Sequence, residues 1–121
     1  MQLTNNFNLS EFISNDGISI DLIPNLTRLS MNLQILRNYL HAPITINSGY
    51  RSASHNKKIG GSPNSFHVKG MAADIVVQGY TPQQVFDAIE TLQERGQMTI
   101  GGLKAYSTFV HYDIRGHKAR W

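Results

Sequence analysis

Ser65-Phe66-His67-Val68-Lys69-Gly70-Met71-Ala72-Ala73-Asp74-Ile75-Val76-Val77 is the stretch on which the fold turns. Its second half, Ala72 to Val77, is a short apolar run that predicts a buried strand. An aspartate stands inside that run. Aspartate is a poor strand former and is almost never fully buried unless paired or metal-bound. Seven residues earlier is His67, with the small residues Gly70 and Ala72 between the two. The pattern suggests a loop folded so that both side chains meet at the start of a core strand.

Upstream, the clearest helix is Pro24 to Leu40, where Leu26, Leu29, Leu33, Leu36 and Leu40 recur at three- and four-residue steps. Pro24 suits its first turn, and Pro43 prevents its continuation. Ile44 to Asn47 is a short β-prone run, and residues 48–66, rich in Ser, Gly, Asn and Pro, read as largely loop. The opening Phe7-Asn8-Leu9-Ser10-Glu11-Phe12 reads as a capped turn pinned by Phe7, Leu9 and Phe12. Downstream, Thr81-Pro82-Gln83-Gln84 starts a second helix through a capping box, with Val85, Ala88, Ile89 and Leu92 inward and Gly96 at its end. Ile100 to Tyr106 and Phe109 to Arg115 resemble two strands joined at Ser107-Thr108. The expected class is α+β, a small antiparallel sheet with helices packed on one face, built as one domain over residues 1–121.

Composition narrows the chemistry. With 40% hydrophobic and 16% charged residues, the 121-residue chain is that of an ordinary globule. No apolar run approaches the ~20 residues that cross a bilayer. The N-terminus has no basic-then-apolar leader pattern. There is no cysteine, which excludes disulfides, thiolate metal sites and a thiol nucleophile, so any metal must be held by imidazole and carboxylate. The net charge of +3 is mild and its basic residues are scattered, with no aromatic-rich basic stripe, so nucleic acid is not an expected partner.

Of the five histidines, His67 and His111 have suggestive neighbours. In Phe109-Val110-His111-Tyr112-Asp113-Ile114, strand period places His111, Asp113 and Arg115 on one face and Val110, Tyr112 and Ile114 on the other. Two imidazoles and one carboxylate are a common complement for catalytic zinc, with a fourth position left for water. Spacing alone leaves two readings open, a metal site or a wet strand face with a chance His and Asp.

Ser65-x-His67-x-x-Gly70-x-Ala72-x-Asp74 resembles in full the S-x-H-x-x-G-x-A-x-D signature of the zinc D-alanyl-D-alanine peptidases, family M15, whose fold is shared with the hedgehog signalling domain. Ser48-Gly49-Tyr50-Arg51-Ser52, His55-Asn56 and Ile59-Gly60-Gly61 are similar to the same family upstream. Phe109-Val110-His111-Tyr112-Asp113, the tail Arg115-Gly116…Ala119-Arg120-Trp121 and the opening Phe7 to Phe12 resemble its short, single-domain branch. The resemblance spans nearly the whole chain in the correct order.

The resemblance implies that His67, Asp74 and His111 hold Zn²⁺, and that Arg51 faces a substrate carboxylate or carbonyl and steadies the developing oxyanion. A loop salt bridge is the alternative for Arg51. Ser65 is expected to bind or orient from just outside the metal shell, and His55 and Asn56 to be structural to their loop, with His55 in the cleft as the other reading. The chain departs from the family where many relatives carry an acidic base three residues before the last histidine ligand, since Thr108 stands there, and Phe109 follows where hedgehog-like relatives have histidine. Asp113 then has two candidate roles, general base or partner that fixes the His111 tautomer. The implied function is zinc-dependent hydrolysis of an amide bond in peptidoglycan stem peptides or crosslinks, as in a phage or prophage lysis enzyme. A non-catalytic zinc-binding wall-recognition or phage structural module is the alternative. The expected partner is wall peptide, bound by a monomer without membrane insertion. The chain is expected to be made in the cytoplasm and to act at the wall, outside it, by phage-type export.

Overall fold

A computed structural model describes residues 1–14 and 17–121. Helix α1 (Ile23–Leu40) carries Pro24 in its first turn and buries Leu26, Leu29, Leu33, Leu36 and Leu40, the stripe set by their spacing. His41 ends it in the left-handed region at φ 52°, a position that more often falls to glycine. A short helix α2 (Ala53–Lys58) follows, and then α3 (Pro82–Glu94). In α3 the Thr81 hydroxyl accepts from the Gln84 N–H at 3.1 Å while the Gln84 side chain accepts from the Thr81 N–H at 2.8 Å. Val85, Ala88, Ile89 and Leu92 are buried, and Gly96, at φ +71°, follows the helix end.

Among the described residues six strands accompany the helices. The first two, β1 (Gln2–Thr4) and β2 (Phe7–Asn8), form a two-stranded sheet of their own among the described residues. The main sheet contains β3 (Ile44–Ser48), β4 (Ala72–Val77), β5 (Leu103–Ala105) and β6 (Val110–Asp113) in the order β3-β4-β6-β5, with every neighbour antiparallel. Period two sorts its side chains. Ile44, Ala73, Ile75, Val77, Leu103, Val110 and Tyr112 enter one core with the inner faces of α1 and α3. Each fully buried leucine of α1 contributes about 1.5–3 kcal/mol from burial. The strand residues between them, Asp74, His111 and Asp113, share the opposite face. The helices cover the apolar face, as expected, and the chemistry is confined to the other.

Two local features differ from the sequence expectation. The segment 48–66 is not all loop, because Ser52 caps α2 by accepting from the His55 N–H at 3.1 Å. A six-residue polar helix has no apolar period by which to announce itself. The N-terminal strand pair is equally silent, being too short for alternation to show. The capped turn at Leu9–Glu11 is present as a 3-10 turn, with Asn8 and Glu11 forming its capping box and Phe7 and Phe12 buried at a ring distance of 5.9 Å. The final hairpin forms as expected, with Leu103 opposite Tyr112 and Ala105 opposite Val110, though its strands are shorter than the β-prone runs.

Candidate metal centre

The register of β4 against β6 places Asp74 directly opposite His111. Both side chains leave the sheet on the same face, so antiparallel pairing alone brings them together. His67 arrives by a tight turn rather than by a strand. The Ser65 hydroxyl accepts from the His67 N–H at 3.2 Å, and the Val68 N–H donates to the Ser65 carbonyl at 3.1 Å. The Gly70 N–H then closes back on the His67 carbonyl at 3.2 Å with Gly70 at φ +69°, a conformation that explains glycine there.

His67 Nε2 lies 3.3 Å from Asp74 Oδ1, and His111 Nδ1 lies 3.1 Å from the same oxygen. The three ligand atoms lie within 4.8 Å of one another. Ligands about 2.0–2.2 Å from a tetrahedral zinc would stand roughly 3.4 Å apart, so the group fits the ion. The far nitrogen of each ring is also held. His67 Nδ1 is 2.8 Å from the Gly49 carbonyl, and His111 Nε2 is 2.8 Å from Asp113 Oδ2. With both far nitrogens protonated as donors, the lone pairs of His67 Nε2 and His111 Nδ1 turn toward Asp74.

Burial alone would raise the Asp74 pKa, but hydrogen bonds and charge from His111 and His67 outweigh it and hold the carboxyl below the usual range. His111 is pushed the other way: burial opposes its charged form, yet Asp113 and Asp74 raise its pKa above the ordinary histidine value. A cation is what this group of donors would share.

Asp113 is fully buried. Its Oδ1 accepts from the N–H of Gly102 at 2.8 Å, from the N–H of Arg115 at 3.2 Å and from Arg115 Nε at 2.9 Å, while Oδ2 accepts from Arg115 Nη2 at 2.7 Å and faces His111. Burial works against its ionised form, but the His111, Arg115 and Gly102 hydrogen bonds prevail and keep its pKa below the carboxylate range. Gly102 has its own reason to be glycine, because a Cβ there would crowd the Asp113 carboxylate.

Above His67, Asp74 and His111 opens a cleft of about 610 Å³. Arg51 and Arg115 supply positive charge to its lining, and Phe66, Tyr106, Phe109 and Trp121 supply aromatic surface. Tyr106 stacks on Phe109 with centroids 4.6 Å apart, and Trp121 meets His111 edge-on at 5.2 Å. Arg51 is held on three sides, with Nε to Ser48 Oγ at 3.2 Å, Nη1 to Asn56 Oδ1 at 3.2 Å and Nη2 3.5 Å from Asp74 Oδ2. Ser65 also lines the cleft. Asn56 is buried and donates to the Ser62 carbonyl at 2.7 Å, a structural tie within its loop, whereas exposed His55 lines a separate groove beside Glu11 and Phe12. Thr108 lies outside the cleft.

Sequence reasoning missed the Gly49 carbonyl, the Gly102 N–H and the aromatic wall. Backbone groups carry no residue signature, although paired glycines at 101–102 hinted at a close approach. The wall draws on residues far apart in the chain, which only the folded sheet assembles.

Known proteins share the family and the fold of this chain. The family model described as Peptidase M15 matches residues 5–113. The "Probable peptidoglycan L,D-endopeptidase MepK" of Haemophilus influenzae is 34% identical over 95 residues, which are 74% of this chain and 49% of that protein. The "Zinc D-Ala-D-Ala carboxypeptidase" of Streptomyces albus G is 46% identical over 44 residues, 36% of this chain and 17% of that protein. The chain therefore spans about half the length of the first relative and less than a fifth of the second. The crystal structure of the Serratia marcescens L-Ala D-Glu endopeptidase ChiX superposes with a TM-score of 0.54 at 18% identity, covering 80% of this chain and 88% of that one, a likeness of fold. With a family match across nearly its whole length and a His-Asp-His group at the floor of its cleft, the chain belongs to the peptidase M15 family.

Proposed function

We propose that residues 1–121 form one zinc-dependent peptidase domain that hydrolyses an amide bond in peptidoglycan peptides and acts at the cell wall. The observation that carries this reading is the convergence of His67 Nε2, Asp74 Oδ1 and His111 Nδ1 at 3.1 and 3.3 Å, with the far nitrogen of each imidazole already engaged. Zinc bound by these atoms supplies a Lewis acid that polarises a carbonyl and lowers the pKa of water toward ~7. Arg51, fixed by Ser48 and Asn56, keeps a positive charge beside Asp74 where charge on a substrate oxygen would develop. Ser65 holds the turn that aims His67. The saturated hydrogen bonding of Asp113 supports the second of its two candidate roles, orienting His111 rather than accepting a proton from water. The relatives' names support a peptidoglycan substrate. Among the described residues no helix is long and apolar enough to cross a membrane.

The same saturation favours a second reading. Among the described residues lining the cleft, Asp74 provides the one side-chain carboxylate, and it belongs to the proposed metal group. A domain that binds wall peptide on zinc without cutting it would have this construction. Purified protein incubated with defined muropeptides, with and without zinc, separates the two when products are read by mass spectrometry. Zinc-dependent fragments whose masses sum to the substrate plus one water are expected. Intact muropeptides in the presence of bound zinc would replace the peptidase by the binding domain, and fragment masses would identify the bond.

A further inference from the structure

We propose that Arg115 is a carboxylate-binding residue of the cleft, selecting peptides with a free carboxylate next to the scissile amide over the same peptides with a carboxamide there. The proposal rests on the peptidase reading for where the peptide lies, but not for whether it binds. A guanidinium carries five N–H donors in a planar fork. Arg115 commits the edge formed by Nε and Nη2 to Asp113, at 2.9 and 2.7 Å. That leaves the second edge, both hydrogens of Nη1 and the outer hydrogen of Nη2, and Nη1 has no acceptor among the described residues. This edge matches a second carboxylate as well as the first edge matches Asp113.

The surroundings hold that edge ready. Phe66 lies with its ring centre 4.4 Å from the guanidinium carbon and Trp121 at 5.5 Å, so aromatic surface limits the water around the cation without neutralising it. The Asp113 pair is anchored in turn by the Gly102 N–H and by His111. Arg115 thus reaches the cleft already oriented, and little side-chain freedom remains to be lost on binding. Arg51 differs. Each of its guanidinium nitrogens already faces a protein oxygen, Ser48, Asn56 or Asp74. Of the two arginines lining the cleft, Arg115 has the open fork.

The test uses zinc-loaded protein and two stem peptides that differ only in a free α-carboxylate or a carboxamide on the D-residue at the scissile amide, together with the corresponding product fragments. Wild type should favour the carboxylate form by roughly 10–100-fold, in kcat/KM for the peptides and in Kd for the fragments by calorimetry, as a charge-assisted pair requires. Arg115→Lys keeps a charge for Asp113 but lacks a second planar edge, and should reduce that preference to within about threefold, mainly through KM. A wild type indifferent to the carboxylate, or an Arg115→Lys variant that keeps the full preference, overturns the proposal. Should the variant not fold, the side-chain ¹⁵N resonances of Arg115 in the unaltered protein decide the matter. They should move on titration with the carboxylate fragment and stay still with the carboxamide, and the absence of that difference is equally fatal. If neither peptide is cleaved, the peptidase reading fails while the fragment affinities still decide the role of Arg115.

Discussion

Asp113 is an acid with no room to act as one. Five hydrogen-bonding contacts, from Gly102, His111 and Arg115, reach its two oxygens, and the carboxylate is fully buried beneath them. Taking up a proton would break at least one of them in a buried setting, which is why its pKa lies low. Asp113→Asn preserves shape but offers one acceptor oxygen in place of two. If Asp113 orients His111, zinc affinity should weaken by roughly 10–100-fold, and cleavage should return when zinc is added in excess. A loss of roughly 10²–10⁴-fold in cleavage with zinc still fully bound would instead make it the proton acceptor. The strand period already placed His111 and Asp113 on one face, so their pairing was legible. Which of two chemistries that pairing serves was not, because the donors that saturate the carboxylate are a backbone N–H and an arginine fork whose direction no spacing encodes.

At the scale of elements, α1, α3 and β4 were readable because each carries a signal: leucines along α1, the capping box of α3, and β-branched residues after an out-of-place aspartate in β4. Of the parts that were not readable, α2 is tied within six residues by Ser52, Arg51 and Ser62, and the β1–β2 pair is held by a distant segment, with Gln34 of α1 bonded to Thr4 and Asn6. Gly49 sits at such a contact. Its carbonyl orients His67, and its neighbour Tyr50 donates to the Phe12 carbonyl at 2.7 Å. A Cβ on Gly49 would stand 2.6 Å from the Phe12 carbonyl oxygen and 2.8 Å from the Phe12 Cα, so backbone must move. Gly49→Ala is therefore expected to cost about 1–3 kcal/mol, as other overpacking changes do, and to loosen zinc through the displaced carbonyl. Denaturant melts and a zinc titration measure the two effects. An unaltered zinc affinity alongside lowered stability would show that the Gly49 carbonyl does not set the His67 orientation.

Across the whole molecule, the sheet separates two tasks. One face is closed by α1 and α3 over a continuous apolar core, and the other carries His67, Asp74 and His111 from a loop and two strands. His67 and Asp74 are near in sequence but His111 stands 37 residues beyond Asp74, so an unfolded chain offers no preformed three-residue site, and zinc should bind the folded state almost alone. At a zinc concentration 100 times its dissociation constant, this linkage adds about 2.7 kcal/mol. For a chain of this length that corresponds to a rise of about 10 °C in Tm. His111→Ala should abolish the rise, since it removes one of three ligands and the partner of Asp113. His117→Ala, an exposed histidine outside the cleft, should leave it intact. Scanning calorimetry on the three proteins, each with and without zinc, measures this directly. An equal rise in the His111→Ala protein would mean that zinc stabilises the fold from somewhere other than the face opposite the helices.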